Sequence, residues 1–340
     1  MMCQATQHSS ILFATVLAFQ FLGYPAFAAT ELRETTSPEI VPTFETVARW
    51  WNDQRPDSSQ EKGPSERAEH LTQIMDEPIT EVHLTDRTTA FLFPVMIDHR
   101  GRNDWIHLVL ARPSQQEAQE ISSPVGRGAK AYDLDHDGVS EVVAENLGSG
   151  GGATSGIRTI VHLDGSQPII LHYASFTDNV GAKGKRDSQY YSRNPTWTFV
   201  DLDGDGVLDL LEDVTIEEGR NGKDPKITHI QNKYLFKNGQ FVRLDGVQMN
   251  VSILRKKLQA AAVSPSLYII EDDPNPKQFM PVMEHVSGYW KIREYENDGY
   301  STTTGVFASE AEACTYFFYQ TMPTYIPWNN NFFRHHHPQQ

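Results

Sequence analysis

The chain has little cysteine and few basic residues. Only two of its 340 residues are cysteines, Cys3 and Cys314, so a disulfide framework or a cysteine-based zinc site is excluded as its main stabilising device. Lysine and arginine together number 29 against 44 aspartates and glutamates, and the formal net charge is −15. An acidic chain of this kind argues against nucleic acid or an anionic membrane as the main partner.

The first 28 residues lack charged side chains altogether. Ile11 to Leu22 is a nearly continuous apolar run, and Ala26-Phe27-Ala28 is a small-x-small sequence. This pattern predicts a signal peptide over residues 1–28, with an uncleaved anchor as the alternative, although the run is short for a bilayer span. We therefore expect a secreted or periplasmic protein without stable membrane insertion after cleavage.

Motifs for nucleophilic catalysis, phosphate binding and zinc binding are also missing. The glycine-rich run Gly148-Ser149-Gly150-Gly151-Gly152 lacks the Gly-Lys-Ser/Thr ending of a phosphate loop, so it indicates a loop between strands. The histidines at 335–337 are typical of a solvated tail. We therefore assign no catalytic residue, and whether the chain is an enzyme stays open at this point.

The chain does contain a nine-residue acidic pattern that occurs twice. Loop 1 is Asp133-Leu134-Asp135-His136-Asp137-Gly138-Val139-Ser140-Glu141, and loop 2 is Asp201-Leu202-Asp203-Gly204-Asp205-Gly206-Val207-Leu208-Asp209. In both loops, acids stand at positions 1, 3, 5 and 9 and glycine stands at position 6. Carboxylates in one tight turn, together with a backbone carbonyl at position 7, are the oxygen ligands that Ca²⁺ prefers.

The sequence therefore predicts about two Ca²⁺ sites. The predicted ligands are Asp133, Asp135, Asp137, Val139 and Glu141 in loop 1, and Asp201, Asp203, Asp205, Val207 and Asp209 in loop 2. Glu212 also falls at position 12 of loop 2, as in an EF-hand, but loop 1 has Ala144 there. Because a strand-like segment containing Pro195 precedes loop 2, we interpret the Glu212 match as coincidence.

Changes of composition predict an order of domains. They are a signal peptide at 1–28, an N-terminal helical extension at 29–79, a calcium-binding β-repeat domain at 80–248, a helix and linker at 249–277, a small ββα unit at 278–325 and a tail at 326–340. In the extension, one helix is predicted around Phe44 to Trp51, and a second begins at Ser65 and includes Leu71.

From about residue 80, short β-branched and aromatic segments predict strands. They are residues 89–97, 105–111, 140–144, 158–163, 169–173, 196–200, 234–236 and 241–244. Asn238-Gly239 predicts a hairpin turn. Gly138 and Gly206 are 68 residues apart, and each loop is followed by a strand, an excursion and a hairpin, so the loops belong to an internal repeat. A degenerate third copy is predicted at 97–106.

The C-terminal unit is predicted from a strand at 290–295, a second strand at 302–307 and a following helix. Ser309 and Glu312 have the spacing of a capping box at the start of that helix. Cys314 lies in the same helix, where we expect it to be a small buried apolar residue.

The segments Tyr132 to Val143 and Val200 to Leu211 resemble the FG-GAP or VCBS-type repeat of integrin-alpha-like β-propellers. The resemblance covers residues 90–245, and it implies outward-facing loops that bind Ca²⁺ for structural reasons. A seven-bladed propeller needs far more chain than this. The expected fold is therefore mainly β, as a short propeller-like or compact β-repeat array with Ca-binding loops and a small C-terminal ββα unit.

These features favour an exported, calcium-stabilised binding or adaptor protein of FG-GAP/VCBS-like type, with a protein or glycan as its partner. One alternative is an exported toxin-immunity or inhibitor protein, because residues 288–322 are similar to ββα modules of some bacterial toxin-immunity proteins. The other is an extracytoplasmic hydrolase with an unrecognised site.

Overall fold

The computed structural model describes residues 40–54, 71–73, 77–97, 106–121, 125–150, 153–178, 189–220, 224–244, 246, 248–270, 280–295 and 301–321. The fold is mainly β, as predicted. The predicted signal peptide, residues 98–105 of the third repeat copy and the tail lie outside these residues. Within the described part of the chain, we find no helix with the length and apolar character that crossing a bilayer requires.

A five-stranded antiparallel sheet precedes the two acidic loops. Its strands are β1 (Leu71–Gln73), β2 (Thr80–His83), β3 (Thr89–Ile97), β4 (Ile106–Arg112) and β5 (Glu117–Glu120). β3 is central and pairs with β1, β2 and β4.

The prediction that a second helix includes Leu71 was wrong. Leu71 pairs with Ile97 of β3, in antiparallel register. Pairing with an existing strand satisfies backbone groups at once, whereas a short helix is marginal in water.

The helix predicted around Phe44 to Trp51 is present as α1 (Phe44–Asp53), and it covers one face of this sheet. Thr43 caps the helix by accepting a hydrogen bond from the Thr46 amide. Its buried Val47, Trp50 and Trp51 pack with alternate residues of the sheet. β3 is buried on both faces, since Phe91 and Phe93 belong to this layer and Leu92 belongs to the main core.

The second sheet has twelve strands and curls into a half-barrel. The strands are β6 (Arg127–Tyr132), β7 (Glu141–Gly150), β8 (Ala153–Asp164), β9 (Gln167–Asp178), β10 (Gln189–Val200), β11 (Asp209–Arg220), β12 (Lys226–Lys237), β13 (Gln240–Arg243), β14 (Ile269–Ile270), β15 (Pro281–Val286), β16 (Tyr289–Tyr295) and β17 (Ser301–Phe307).

The predicted repeat corresponds to two antiparallel meanders of four strands, β6–β9 and β10–β13. Each acidic loop joins the first strand of its meander to the second. The predicted turn between β12 and β13 is confirmed, because Asn238 and Gly239 have φ angles of 54° and 70°.

One continuous sheet runs through both meanders, because Ser192 and Arg193 of β10 pair with Asp178 and Thr177 of β9. The blades of a propeller are separate sheets around a central channel. The described residues therefore show one curled sheet that runs through both meanders, and they do not show a propeller.

The C-terminal unit has three strands, β15 to β17, followed by helix α3 (Glu310–Thr321). The sequence predicted only two of these strands. The unit continues the large sheet, since Phe307 of β17 pairs in parallel with Ile170 of β9. Ser309 caps α3 as predicted, because its Oγ accepts from the Glu312 amide at 3.2 Å. Cys314 is fully buried in this helix, also as predicted.

The main core lies between the two sheets and includes α3 and helix α2 (Val251–Ala260). Fully buried apolar side chains from all of these elements contribute to it, among them Val82, Leu92, Leu110, Val142, Val161, Ile170, Leu254 and Phe317. The acidic loops stand at the border of this core on a smaller apolar cluster, which includes Leu134 and Leu210.

Candidate metal centre

Strands flank both acidic loops, since loop 1 joins β6 to β7 and loop 2 joins β10 to β11. This arrangement excludes an EF-hand, which needs a helix on each side. Glu212, at position 12 of loop 2, is buried in β11. Its carboxylate accepts hydrogen bonds from Trp197 Nε1 at 3.2 Å and Asn232 Nδ2 at 2.7 Å. The match of Glu212 to an EF-hand is therefore coincidental, as the flanking sequence indicated.

The tight turn of each loop depends on positive φ angles. Gly138 and Gly206 at position 6 have φ angles of 84° and 88°, which suit glycine because it lacks a Cβ. Position 4 is also left-handed, with φ angles of 61° at His136 and 81° at Gly204. The glycine in loop 2 was the sequence signal for this second constraint, and sequence reasoning overlooked it.

In loop 1, the structure brings together the carboxylates of Asp133, Asp135 and Glu141. One oxygen from each lies within 4.8 Å of the others. Asp137, the predicted position-5 ligand, lies outside this group, and its Oδ1 accepts from the Val139 amide at 2.7 Å. The group thus combines positions 1, 3 and 9 of the loop.

One carboxylate oxygen of Asp133, Oδ1, is buried from solvent without a hydrogen-bond partner. An unsatisfied buried acceptor costs about 1–3 kcal/mol, and more when it is charged. A cation bound by this carboxylate group would remove that cost.

The charges of loop 1 also disfavour its fully ionised form. Burial, followed by the charges of Asp137 and Asp133, raises the pKa of Asp135 above its usual value. Burial likewise raises the pKa of Glu141, even though its hydrogen bonds oppose the shift. Among the described residues, no lysine or arginine forms an ion pair with the Asp133, Asp135 and Glu141 group.

Glu141 is held from two sides. It is fully buried, and its Oε2 accepts from the Leu134 amide at 2.6 Å. Its Oε1 lies 2.6 Å from Nε2 of His162 in β8. The position-9 carboxylate therefore closes the loop onto position 2. Sequence reasoning missed His162, which reaches the site only through the pairing of β7 with β8.

In loop 2, the carboxylates of Asp201, Asp203 and Asp205 come together, again with one oxygen from each within 4.8 Å of the others. Asp201 accepts from the Gly204 amide at 2.6 Å and the Gly206 amide at 3.0 Å. This group combines positions 1, 3 and 5, so the two loops assemble different subsets of the predicted ligands.

Loop 2 contacts a lysine of the protein itself. Nζ of Lys237, at the end of β12, lies 2.9 Å from Asp203 Oδ2 and also donates to Asp205. The hydrogen bond from Lys237 holds the pKa of Asp205 below its usual value, and the two aspartates raise the pKa of Lys237. Lys237 is therefore a tethered cation that already pairs with two of the predicted ligands in loop 2.

Asp209 closes loop 2 as Glu141 closes loop 1. It is fully buried, with Oδ2 accepting from the Leu202 amide and Oδ1 from the Phe236 amide, both at 2.8 Å. Burial raises the pKa of Asp209 despite these bonds.

Of the residues whose carbonyls were predicted as position-7 ligands, Val139 is buried and Val207 is half-buried.

The acids of the two loops do not line either of two cavities that are formed by described residues. One, of about 290 Å³, is lined in part by Gln240, Asn250 and Glu310. The other, of about 430 Å³, is lined in part by Arg255 and Tyr268. Neither lining includes an acid of loop 1 or loop 2.

A second charged group, which the sequence did not predict, lies in the core around His172 of β9. Nδ1 of His172 lies 3.1 Å from Glu312 Oε1, and Nε2 lies 3.7 Å from Glu212 Oε1. The imidazole also packs against the rings of Trp197 and Tyr234.

Burial alone would lower the pKa of His172, but the two carboxylates raise it to about 9. Burial alone would raise the pKa of Glu212. The hydrogen bond and charge of His172 outweigh burial and lower this pKa to about 2. The ion pairs of His172 with Glu212 and Glu312 connect β9 to β11 and α3, and all three side chains are buried from solvent.

Comparison of the chain with protein-family models, curated proteins and solved structures gives no match in any of the three.

Proposed function

We propose that this protein is an exported binding or adaptor protein that is stabilised by structural Ca²⁺. Loop 1 carries the proposal, because it gathers three carboxylates within 4.8 Å and leaves a buried oxygen of Asp133 without a partner. A group made only of oxygen ligands suits a hard cation such as Ca²⁺ better than zinc or copper.

A structural role for the metal follows from where the loops lie. Each loop is the first turn of a four-stranded meander, and its position-9 carboxylate is hydrogen-bonded to the backbone. A cation held there would fix the turn between two long strands. At a concentration ten times its dissociation constant, one bound Ca²⁺ stabilises the folded state by about 1.4 kcal/mol.

Two features support an FG-GAP/VCBS-like repeat. The acidic loop recurs at the same place in two successive meanders, and in both loops the glycine at position 6 has a positive φ angle. The continuous β9–β10 pairing favours a compact array over radial blades. Export is supported by the uncharged segment at 1–28, and low-affinity calcium sites are typical of extracellular modules.

The partner that we propose is a protein or glycan outside the cytoplasm. The net charge of −15 disfavours nucleic acid. Two observations favour binding over catalysis. Glu141 and Asp209 are buried and accept hydrogen bonds from backbone amides of their loops, and the His172 group is closed to solvent.

Calorimetric titration of the full chain with Ca²⁺ tests the proposal. We expect about two sites and a melting temperature that rises by a few degrees in calcium relative to chelator. The double variant Asp133→Asn with Asp135→Asn should lose one site. A control that removes two exposed charges elsewhere, Asp224→Asn with Glu218→Gln, should keep both. A wild-type chain that binds no Ca²⁺ by calorimetry and melts identically in calcium and chelator would refute the proposal.

A further inference from the structure

We infer that the two acidic loops bind Ca²⁺ as a coupled pair, in which occupation of one loop raises the affinity of the other. The inference rests on the calcium binding proposed above and adds how the two sites regulate each other. Nothing in the repeat pattern predicts it, because the loops are 68 residues apart along the chain.

A direct backbone hydrogen bond joins the loops. The amide of Leu208 donates to the carbonyl of Leu134 at 2.8 Å. Leu134 is position 2 of loop 1, and Leu208 is position 8 of loop 2. This bond therefore holds a backbone oxygen of loop 1 against a backbone nitrogen of loop 2.

Both ends of this bond are also attached to carboxylates of the loops. The amide of Leu134 donates to Glu141, a member of the loop 1 group. Leu208 immediately precedes Asp209, which closes loop 2 through the Leu202 amide. A shift of either carboxylate group on binding a cation is thus passed to the segment that carries the cross-loop bond.

Side-chain packing strengthens the same connection. Leu134 is fully buried in a cluster with Leu210, against which Val207 and Leu208 of loop 2 also pack. Tyr132 and Phe199, which lie just before the two loops, have ring centroids 5.1 Å apart. Close-packed side chains move together rather than independently, so order in one loop restricts the other.

Coupling follows from the cost of ordering a loop. Fixing the backbone of a residue is unfavourable, and a site that is already ordered by its neighbour pays less of that cost when its own cation binds. Typical coupling of this kind changes affinity by about 5- to 150-fold, and the effect is reciprocal.

The order of binding is set by the difference between the loops. The buried and unpartnered Asp133 Oδ1 favours a cation in loop 1, whereas a cation in loop 2 must displace Lys237 from Asp203. We therefore infer that loop 1 fills first and prepares loop 2.

Calorimetry on three full-length proteins measures the coupling. They are the wild type, a loop 1 variant (Asp133→Asn with Asp135→Asn) and a loop 2 variant (Asp203→Asn with Asp205→Asn). Each remaining site should bind Ca²⁺ at least about fivefold more weakly than in the wild type, by the same factor in both directions. Equal affinities would overturn the coupling while leaving the proposed function intact. Loss of binding in all three would overturn both.

A variant that keeps every charge separates coupling through contact from simple electrostatic attraction. Leu134→Ala removes the buried side chain between the loops, and Leu171→Ala removes a buried leucine elsewhere in the same cluster. Leu134→Ala should weaken the cooperativity with both sites still binding, because the packing is lost while the backbone bond to Leu208 remains. Leu171→Ala should retain the wild-type cooperativity, and an equal cooperativity in the two variants would contradict the inference.

If Leu134→Ala does not fold, nuclear magnetic resonance of the loop 2 variant tests the same coupling between the loops. Ca²⁺ bound at loop 1 alone should shift the amide resonance of Leu208, while the amide of Lys226, an exposed residue at the start of β12, serves as a distant reference. An unmoved Leu208 resonance at saturating Ca²⁺ would overturn the inference.

Discussion

Nδ1 of His172 lies 3.1 Å from Oε1 of Glu312, although 140 residues separate them along the chain. This contact joins helix α3 to the middle of β9 inside the core. On its other side, the imidazole faces Glu212, whose second oxygen accepts from Asn232. Removing one member of a buried charged group leaves the others uncompensated, so each is costly to lose.

The first prediction is a loss of stability at alkaline pH. The folded pKa of His172 is raised from 6.5 to about 9, so its contribution is fully present below pH 6.5 and is lost as the pH rises through about 9. The loss is up to about 3 kcal/mol. Urea unfolding at pH 6, 7.5 and 9 measures it. His172→Gln should flatten the profile, and the exposed control His229→Gln should not.

The second prediction concerns acid. The folded pKa of Glu212 is lowered from 4.5 to about 2, so its contribution is present above pH 4.5 and is lost as the pH falls through about 2. Glu212→Gln should therefore remove part of the acid dependence of unfolding between these values. The matched surface variant Glu218→Gln should leave that dependence unchanged, and an identical acid profile in both variants would contradict the assignment.

The third prediction is that Lys237→Gln tightens calcium binding at loop 2. The change removes the tethered ammonium group that lies 2.9 Å from Asp203, so a metal no longer has to displace it. Calorimetry in the loop 1 variant isolates this site, and we expect a several-fold lower dissociation constant. Lys233→Gln, an exposed change on the same strand, is the control. Weaker binding in Lys237→Gln would show that the lysine supports the site instead.

The fourth prediction separates loop closure from metal binding. Asp209→Asn turns one oxygen that accepts from a backbone amide into a donor. Leaving a buried backbone amide unpaired costs about 1–3 kcal/mol. Urea unfolding in chelator should show this loss without any metal present. Asp205→Asn, at an exposed position, should cost much less in chelator, and equal losses would count against the closing role of Asp209.

The fifth prediction uses backbone conformation. Gly138→Ala places a Cβ at a φ angle of 84°, where nothing lies within 4 Å to clash with it. The cost is therefore one of conformation alone, about 1–2 kcal/mol. His136→Gly, at a φ angle of 61° two residues earlier, should be neutral or stabilising. Thermal unfolding in chelator compares the two, and a stabilised Gly138→Ala would contradict the left-handed geometry.

Sequence patterns predicted the local parts of this molecule well. The Asn238-Gly239 turn, helix α1 and the helix within the predicted segment 249–277 depend on neighbouring residues, which the sequence shows directly. The strands are longer than their apolar segments: β10 begins at Gln189, whereas the pattern predicted Thr196. Their polar ends are held by backbone pairing, which has no side-chain signature.

The sequence located the two acidic loops but did not reveal their contacts. The spacing of acids located both loops, but His162 and Lys237 reach them only through strand register, which a single sequence does not reveal. Glu312 shows the same limit. Its spacing from Ser309 predicted a capping box, and the amide half of that pair is present. Its carboxylate contacts His172, because satisfying a buried imidazole outweighs a cap.

Strand β9 has different neighbours along its two edges, and this affects the order in which the protein can assemble. β8 pairs along one edge, while β10 and β17 share the other. Phe307 of β17 is made 137 residues after its partner Ile170. During synthesis, the part of this edge that pairs with β17 therefore stays unpaired until the C-terminal strands have been made. Such distant pairing slows folding, so the first meander is completed only when nearly all of the large sheet is present.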